Sequence, residues 1–220
     1  NIMLKNKKGL VFGIANNHSI AWGITKQLVN NDAKIAIGYQ NEILLKRVKP
    51  LSQEIGSKIL IECDFNKDNS INNAVEIIKR EWGKIDFIVH AVAFADKTEL
   101  NGRYVDTSKD NFLNCLDISC YSLTTLARAF EPIMNHGGSV LTLTFYGSNK
   151  VIPNYNLMGI AKAALETSVK YLSVDLGDKN IRVNAISAGP MRTIAGAAIN
   201  NAREVFKFTE EHSALKRNAH

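Results

Sequence analysis

The 220-residue sequence predicts an α/β fold with a three-layer, doubly wound parallel sheet, and two observations support this prediction. First, six short runs rich in Val, Ile and Leu are nearly continuous in apolar residues, as parallel strands buried on both faces usually are. Second, segments of helical length separate these runs, and alternating strands and helices join through right-handed crossovers. Neither a linker nor a repeat interrupts the alternation, so residues 1–220 are predicted to form a single domain.

The predicted elements follow the apolar pattern along the chain. The strands are expected at residues 9–13, 33–37, 58–63, 85–90, 139–144 and 181–186. The helices are expected at residues 19–30, 41–56, 68–82, 109–134 and 155–176. After residue 186 a turn and a polar segment follow without another strand. Because an open sheet of this kind is usually completed by one more strand, we expect the last strand to be missing and the domain to be C-terminally incomplete.

Composition excludes several classes of function. Lys and Arg total 27 against 21 Asp and Glu, a net charge of +6, but the basic residues are dispersed and never interleave with aromatic ones as in a nucleic-acid surface. No apolar run is long enough to span a bilayer, and residues 1–5 show no signal peptide. Cys63, Cys115 and Cys120 form no metal-binding pattern, so buried, reduced thiols are expected. These features favour a protein of a cytosol-like compartment that binds no metal, membrane or nucleic acid.

The loop after the first predicted strand has features of a phosphate-binding turn. Gly13 would let the backbone turn sharply and approach a pyrophosphate, and the following helix would offer free N–H groups. The complete glycine pattern of Rossmann-like dinucleotide sites is absent, however. An ordinary strand-to-helix loop capped by Asn17 or Ser19 explains this segment equally well.

The ends of the second and third strands carry residues suited to an adenosine. Gln40 is neutral, so it can bond a ribose hydroxyl but offers no charge to a 2′-phosphate, which favours NADH over NADPH. Asp64 would accept from an adenine amino group and Phe65 would supply main-chain contacts. A helix-capping role for Asp64 is the alternative.

Tyr155 and Lys162 are the strongest catalytic candidates from position alone. They are seven residues apart on a predicted helix, about two turns, so both side chains can share one face. An isolated pair at this spacing is usually a surface pair. This pair, however, follows the fifth strand of a nucleotide-type sheet, and ligands of such sheets bind outside the carboxyl ends of the strands.

Residues 152–166, IPNYNLMGIAKAALE, resemble the signature of bacterial enoyl-[acyl-carrier-protein] reductases of the FabI type. The resemblance extends to GIANN at 13–17, YQN at 39–41, HAVAFA at 90–95 and RVNAISAGP at 182–190, in order and over essentially the whole chain. Standard short-chain dehydrogenases place their tyrosine and lysine four residues apart. The spacing of seven therefore favours the enoyl reductases over the ketone or alcohol dehydrogenases of that superfamily.

The resemblance implies a reaction. It is the NADH-dependent reduction of a trans-2-enoyl thioester on acyl carrier protein in type II fatty acid biosynthesis, by a homotetramer. Tyr155 would stabilise the enolate that forms when hydride reaches the β-carbon, and Lys162 would hold the nicotinamide ribose. Ala95 lies where the family contacts substrate, and Phe94 and Met158 would line a slot for the acyl chain. The matches to the family's cofactor contacts are Gly13, Ser19, Ile20, Gln40, Asp64, Phe65, Val92, Lys162, Met191, Arg192, Thr193 and Ile194.

One position departs from the family pattern. The family usually has a second tyrosine ten positions before the catalytic one, and here that position is Phe145. Tyr146 is adjacent, but a shift of one residue along a strand turns a side chain to the opposite face, so no role is transferred to it. The missing hydroxyl keeps open a second class of function, a protein that senses NADH without catalysis.

Overall fold

The computed structural model describes residues 3–67, 69–197 and 202–219, and its sheet has six strands in the order β3-β2-β1-β4-β5-β6. The strands are β1 (Lys8–Phe12), β2 (Lys34–Tyr39), β3 (Ile59–Glu62), β4 (Ile85–His90), β5 (Met134–Thr144) and β6 (Arg182–Ser187). All neighbouring strands are parallel. The predicted doubly wound parallel sheet is therefore confirmed.

The helices of the described ranges connect these strands. They are α1 (Ile20–Asn30), α2 (Glu42–Glu54), α3 (Ser70–Trp82), α4 (Lys97–Leu100), α5 (Lys109–Leu116), α6 (Ser122–Phe130), α7 (Asn156–Asp175), α8 (Ile194–Ala197) and α9 (Ala202–His212). A π-helical turn, Asp117–Tyr121, joins α5 to α6. In the part of the chain that the structure describes, the helices fall short of the length and apolar character that crossing a membrane requires.

The segment predicted as one helix over residues 109–134 differs from the prediction at its end. The helix ends at Phe130, and a 3-10 turn with Pro132 near its start follows. Proline lacks the N–H that would continue the helical hydrogen bonds. β5 begins at Met134, opposite Ile85, so the prediction that this strand starts at residue 139 was wrong.

Two apolar clusters cover the two faces of the sheet and make it the middle of three layers. Leu10 and Phe12 on β1 belong to one cluster, and Val11 between them belongs to the other, as the period of two in a strand requires. The first cluster includes buried residues of α3, α6 and α7, and the second includes buried residues of α1 and α2. Trp22 of α1 is buried in the second cluster.

His90, the last residue of β4, is a packed, hydrogen-bonded histidine. Its Nδ1 lies 2.9 Å from Thr142 Oγ1, and its Nε2 lies 2.7 Å from Ser122 Oγ. The Thr142 hydroxyl also donates to the His90 carbonyl oxygen at 3.0 Å, and the Ser122 hydroxyl donates to the Ile118 carbonyl oxygen at 2.6 Å. Burial, together with a smaller effect of the nearby Lys162 charge, lowers the pKa of His90 to about 3. His90 therefore ties β4, β5 and α6 together as a neutral side chain.

The neutral state of His90 predicts how stability depends on pH. Its pKa is about 3 in the folded protein, far below that of an exposed histidine, so the unfolded chain takes up a proton that the folded chain excludes. The free energy of unfolding should fall as the pH falls below about 6.5, by roughly 1.4 kcal/mol per pH unit from this group alone. His90→Gln, which can still exchange hydrogen bonds with Thr142 and Ser122, should remove that contribution. Denaturant titrations of both proteins from neutral to mildly acidic pH measure it, and parallel curves would contradict the assignment.

Candidate active site

A cleft of about 640 Å³ opens at the carboxyl ends of β4, β5 and β6. Its wall is mostly apolar and also includes residues of α7, α8 and α9. Of the residues predicted for the site, those that line it are Ile20, Val92, Ala95, Tyr155, Lys162, Met191, Thr193 and Ile194. Phe94 and Met158, expected beside an acyl chain, also line the cleft. Ligands of open α/β sheets bind at this end of the strands, so the cleft is the candidate active site.

Tyr155 and Lys162 lie in the wall of this cleft and are nearly buried, at 6% and 7% exposure. Tyr155 immediately precedes α7, and Lys162 follows two turns later. The Lys162 ammonium donates a hydrogen bond to the Leu143 carbonyl oxygen near the end of β5, at 2.8 Å. The structure thus brings the predicted pair to one site.

Burial sets the protonation states of this pair. It raises the pKa of Tyr155 above its ordinary value, and the nearby Cys115 adds to the effect. It lowers the pKa of Lys162 to about 8, although Cys115, Cys120 and Glu166 favour the charged form. At neutral pH the site therefore holds a protonated phenol, which can donate a hydrogen bond, and a cationic lysine.

The turn before α7 supports the Tyr155 ring. The Phe145 ring meets it edge-on, with ring centroids 5.0 Å apart. Gly147 lies so close that a β-carbon there would collide with the tyrosine ring. Tyr146 is 54% exposed and does not line the cleft, so it does not replace the missing tyrosine. Tyr146 does not point away from the site because of strand alternation, as the sequence suggested. β5 ends at Thr144, and Tyr146 lies in the 3-10 turn that follows.

The loop after β4 forms the opposite wall and is held by the helix behind it. The buried Ser119 hydroxyl, in the π-helical turn, accepts from the Phe94 N–H and donates to the Phe94 carbonyl oxygen, both at 2.9 Å. The buried Asn111 side chain accepts from the Asp96 N–H at 3.0 Å. π-Helical turns are rare and often occur at functional sites. This one fixes the loop that carries Val92 and Ala95.

The first turn suits the close approach of a phosphate. Gly13 has a φ of +103°, and a β-carbon there would collide with the Ala91 carbonyl oxygen. The Ser19 hydroxyl does not cap α1. Instead it accepts from the loop N–H groups of Ala15 at 2.9 Å and Asn16 at 3.2 Å. The loop is thus held in a shape that only glycine permits at position 13, which fits the pyrophosphate of a dinucleotide.

Gln40 and Asp64 meet at the ends of β2 and β3, outside the cleft. The Gln40 side chain donates to Asp64 Oδ1 at 3.3 Å, and the same oxygen accepts from the Asn66 N–H at 3.1 Å. The Phe65 ring packs edge-on against Phe12, with centroids 5.5 Å apart. The predicted adenosine residues therefore form a separate cluster along the carboxyl edge of the sheet. An extended ligand would be needed to contact both this cluster and the cleft.

Of the residues predicted in the segment 191–193, two line the cleft and one does not. Arg192 is exposed and does not line the cleft, whereas its neighbours Met191 and Thr193 do. Val205 and Phe206 of α9 also line the cleft and were not predicted. Across residues 3–67, 69–197 and 202–219, no group of three or more His, Cys, Asp or Glu side chains is arranged to hold a metal ion.

Glu166 is a polar residue near the site whose contacts were not predicted from the sequence. It lies one helical turn after Lys162, and its carboxylate accepts hydrogen bonds from Thr144, at the end of β5, and from Ser148. Only its place four residues after Lys162 could have signalled this, and an acidic residue there is equally typical of an exposed helix face.

Comparison with known proteins agrees with this geometry. A sequence model of the family described as enoyl-(acyl carrier protein) reductase matches residues 13–220. The FabI enoyl-[acyl-carrier-protein] reductase [NADH] of Rickettsia felis is 55% identical over 216 residues, which are 98% of this chain and 83% of that protein. Enoyl-[acyl-carrier-protein] reductase [NADH] 2 of Rhizobium meliloti is 52% identical over 99% of this chain and 81% of that protein.

Solved structures show the same similarity. The enoyl reductase of Anaplasma phagocytophilum, in complex with NAD, has a TM-score of 0.94 and 51% identity over 98% of this chain and 82% of that one. FabI of Candidatus Liberibacter asiaticus has a TM-score of 0.96 and 49% identity over 99% of this chain and 84% of that one. With the family match, the sequence identities and the shared fold in agreement, this chain belongs to the enoyl-(acyl carrier protein) reductase family.

Proposed function

We propose that this chain reduces trans-2-enoyl-[acyl-carrier-protein] to acyl-[acyl-carrier-protein] with NADH, in type II fatty acid biosynthesis. The observation that carries the proposal is the nearly buried pair Tyr155 and Lys162 in the wall of a largely apolar cleft. The named relatives are NADH-dependent enoyl reductases, and one solved relative is a complex with NAD.

Tyr155 is the proposed electrostatic catalyst. Bound NADH would supply the hydride that adds to the substrate β-carbon, and negative charge then builds on the thioester oxygen. A protonated phenol aimed at that oxygen stabilises the enolate, and a site that excludes water makes such a hydrogen bond stronger. The raised pKa of Tyr155 keeps it a donor at neutral pH.

Lys162 is the proposed anchor of the nicotinamide ribose and a source of positive potential. One of its N–H groups is bound to the Leu143 carbonyl oxygen, and an ammonium has two further donors for ribose hydroxyls. At the other end of the cofactor, Gln40 and Asp64 would contact the adenosine, and Phe65 would supply main-chain contacts. The Asp64 carboxylate, which accepts from Gln40, would repel a 2′-phosphate, and this favours NADH.

The remaining predicted residues would complete the cofactor and substrate sites. Gly13 and Ser19 shape the proposed pyrophosphate turn, and the segment containing Met191, Arg192, Thr193 and Ile194 would close over the nicotinamide and pyrophosphate. Ile20 and Val92 would line the cofactor site, and Ala95 would contact the acyl thioester. The partner is an acyl carrier protein, and because such carriers are acidic, the net charge of +6 favours docking. We further propose one dinucleotide-binding domain, a homotetramer and a place in the bacterial cytoplasm.

Tyr155→Phe should lower kcat for a trans-2-enoyl thioester by about 100-fold or more, since one donor to a developing oxyanion is lost. NADH oxidation by the wild type and the variant measures this. Tyr171→Phe is the matched control and should leave the rate unchanged, since Tyr171 lies on the same helix and is 72% exposed. Turnover of a 3-oxoacyl thioester instead would identify a carbonyl reductase, and NADH binding without any turnover would identify a sensor.

Activity should decline as the pH rises through about 8, because Lys162 then loses its proton and the site loses its cation. Its lowered pKa means that the charge is present below this pH and absent above it. The dependence of kcat/KM on pH checks the prediction, since this profile reports the free enzyme. A profile that stays flat until an ordinary lysine would titrate, near pH 10.4, would contradict it.

Gly13→Ala should weaken NADH binding by at least about tenfold, because both the positive φ and the contact with Ala91 exclude a side chain. Quenching or enhancement of NADH fluorescence measures the dissociation constant. Gly56→Ala is the matched control, since Gly56 also has a positive φ but has open space around it and lies after α2. Equal losses in the two variants would show general strain rather than a cofactor turn.

A further inference from the structure

We propose that Glu166 is a positioning residue of the active site. Its carboxylate fastens the end of β5 and the turn that follows to α7, and so fixes the support on which the Tyr155 ring rests. This inference rests on the proposed reductase function, in which Tyr155 acts on the substrate.

The Glu166 carboxylate accepts hydrogen bonds from three side chains of the short segment 144–149. Thr144 Oγ1, on the last residue of β5, donates to Glu166 Oε1 at 2.6 Å. Ser148 Oγ donates to the same oxygen at 2.5 Å, and Asn149 Nδ2 lies 3.4 Å from the other oxygen. Hydrogen bonds to an ionised acceptor are about twice as strong as neutral ones. Glu166 thus holds both ends of the turn, residues 145–147.

Lys162 makes the complementary attachment one helical turn earlier. Its ammonium binds the Leu143 carbonyl oxygen, and Glu166 binds the side chain of the next residue, Thr144. Lys162 and Glu166, two opposite charges on one face of α7, therefore bind the consecutive residues Leu143 and Thr144 of β5. This double contact sets how α7 docks on the strand, and Tyr155 immediately precedes the helix.

The fastened turn is in direct contact with the catalytic ring. Phe145 packs edge-on against Tyr155, and a β-carbon at Gly147 would collide with Cδ1 and lie 2.7 Å from Cε1 of the same ring. The Tyr155 side chain therefore rests on both ends of a turn that Glu166 holds. A displacement of about 1 Å in such a support can cost about 100-fold in rate.

Glu166 also acts on Lys162 through its charge. Burial opposes ionisation of Glu166, but hydrogen bonds from Ser148, Thr144 and Asn149 outweigh it, and with nearby Lys170 they hold its pKa below the ordinary value. The groups that face Lys162 are the thiols Cys115 and Cys120, the neutral His90 and this carboxylate. Glu166 is ionised at neutral pH and favours the charged form of Lys162, so its removal should lower the pKa of Lys162 further.

Three variants separate position from charge. Glu166→Ala removes both. Glu166→Gln keeps an oxygen that accepts from Thr144 and Ser148 but removes the charge. The double variant Thr144→Val with Ser148→Ala keeps the charge but removes the two short hydrogen bonds. Glu76→Gln, on the exposed face of α3, is the matched control and should behave as the wild type.

The readouts are kcat for an enoyl thioester, the dissociation constant of NADH, and the pKa of Lys162 from carbon-13 NMR of the lysine ε-carbon, with Lys162→Ala to assign the signal. Glu166→Ala and the double variant should lower kcat by about 10-fold to 100-fold. Their NADH dissociation constants should stay within about threefold of wild type, because the Gly13 turn and the adenosine cluster are untouched. Glu166→Gln should keep kcat within about fivefold yet lower the pKa of Lys162, whereas the double variant should leave that pKa unchanged.

Wild-type kcat in the double variant would overturn the positioning role, even if Glu166→Ala does not fold. An unchanged Lys162 titration in Glu166→Gln would overturn the electrostatic part. Failure of the proposed function is distinguishable, because the wild type would then not turn over an enoyl thioester, and the NMR titration requires no turnover.

Discussion

The buried ammonium of Lys162 is the constraint on which the arrangement of the site depends. A charge with 7% exposure is costly unless it is hydrogen-bonded, and here the Leu143 carbonyl oxygen and the carboxylate of Glu166 compensate it. The Leu143 carbonyl oxygen can act only if α7 docks against the end of β5, since Lys162 lies on that helix. That docking brings Tyr155 into the cleft wall. The requirement to satisfy one buried cation therefore determines where the proposed catalytic phenol lies.

The walls around this pair come from parts of the chain far apart in sequence, and each is fixed by buried polar groups. Ser119 holds both backbone polar groups of Phe94 on one side, and His90 joins β4 to β5 and α6 beneath the site. The remaining wall is mostly apolar, so little water would compete for an oxyanion. A hydrogen bond from a rigid donor in such surroundings stabilises developing charge with little reorganisation, which is the basis of the proposed catalysis.

The sheet could be predicted because strands buried on both faces are continuous apolar runs, as residues 85–90 show. The Tyr155–Lys162 pair could be predicted from its spacing and from the family resemblance. The π-helical turn could not, since residues 109–130 have an ordinary helical composition and Ser119 in the turn contacts Phe94, which is 25 residues away. Nor could the role of Glu166, whose partners Thr144 and Ser148 lie 22 and 18 residues away without any local pattern. Such contacts depend on tertiary packing, and periodicity does not encode them.

In the proposed mechanism, Tyr155 serves as a neutral donor because burial disfavours its charged phenolate form. The most direct measurement is the pKa of its phenol, followed by carbon-13 NMR of the tyrosine ζ-carbon, with Tyr155→Phe to assign the signal. Burial raises this pKa, so the signal should remain that of a protonated phenol at about pH 10, where a free tyrosine is half ionised. Ionisation of Tyr155 well below that pH would show that the cation dominates over burial, and would contradict the account.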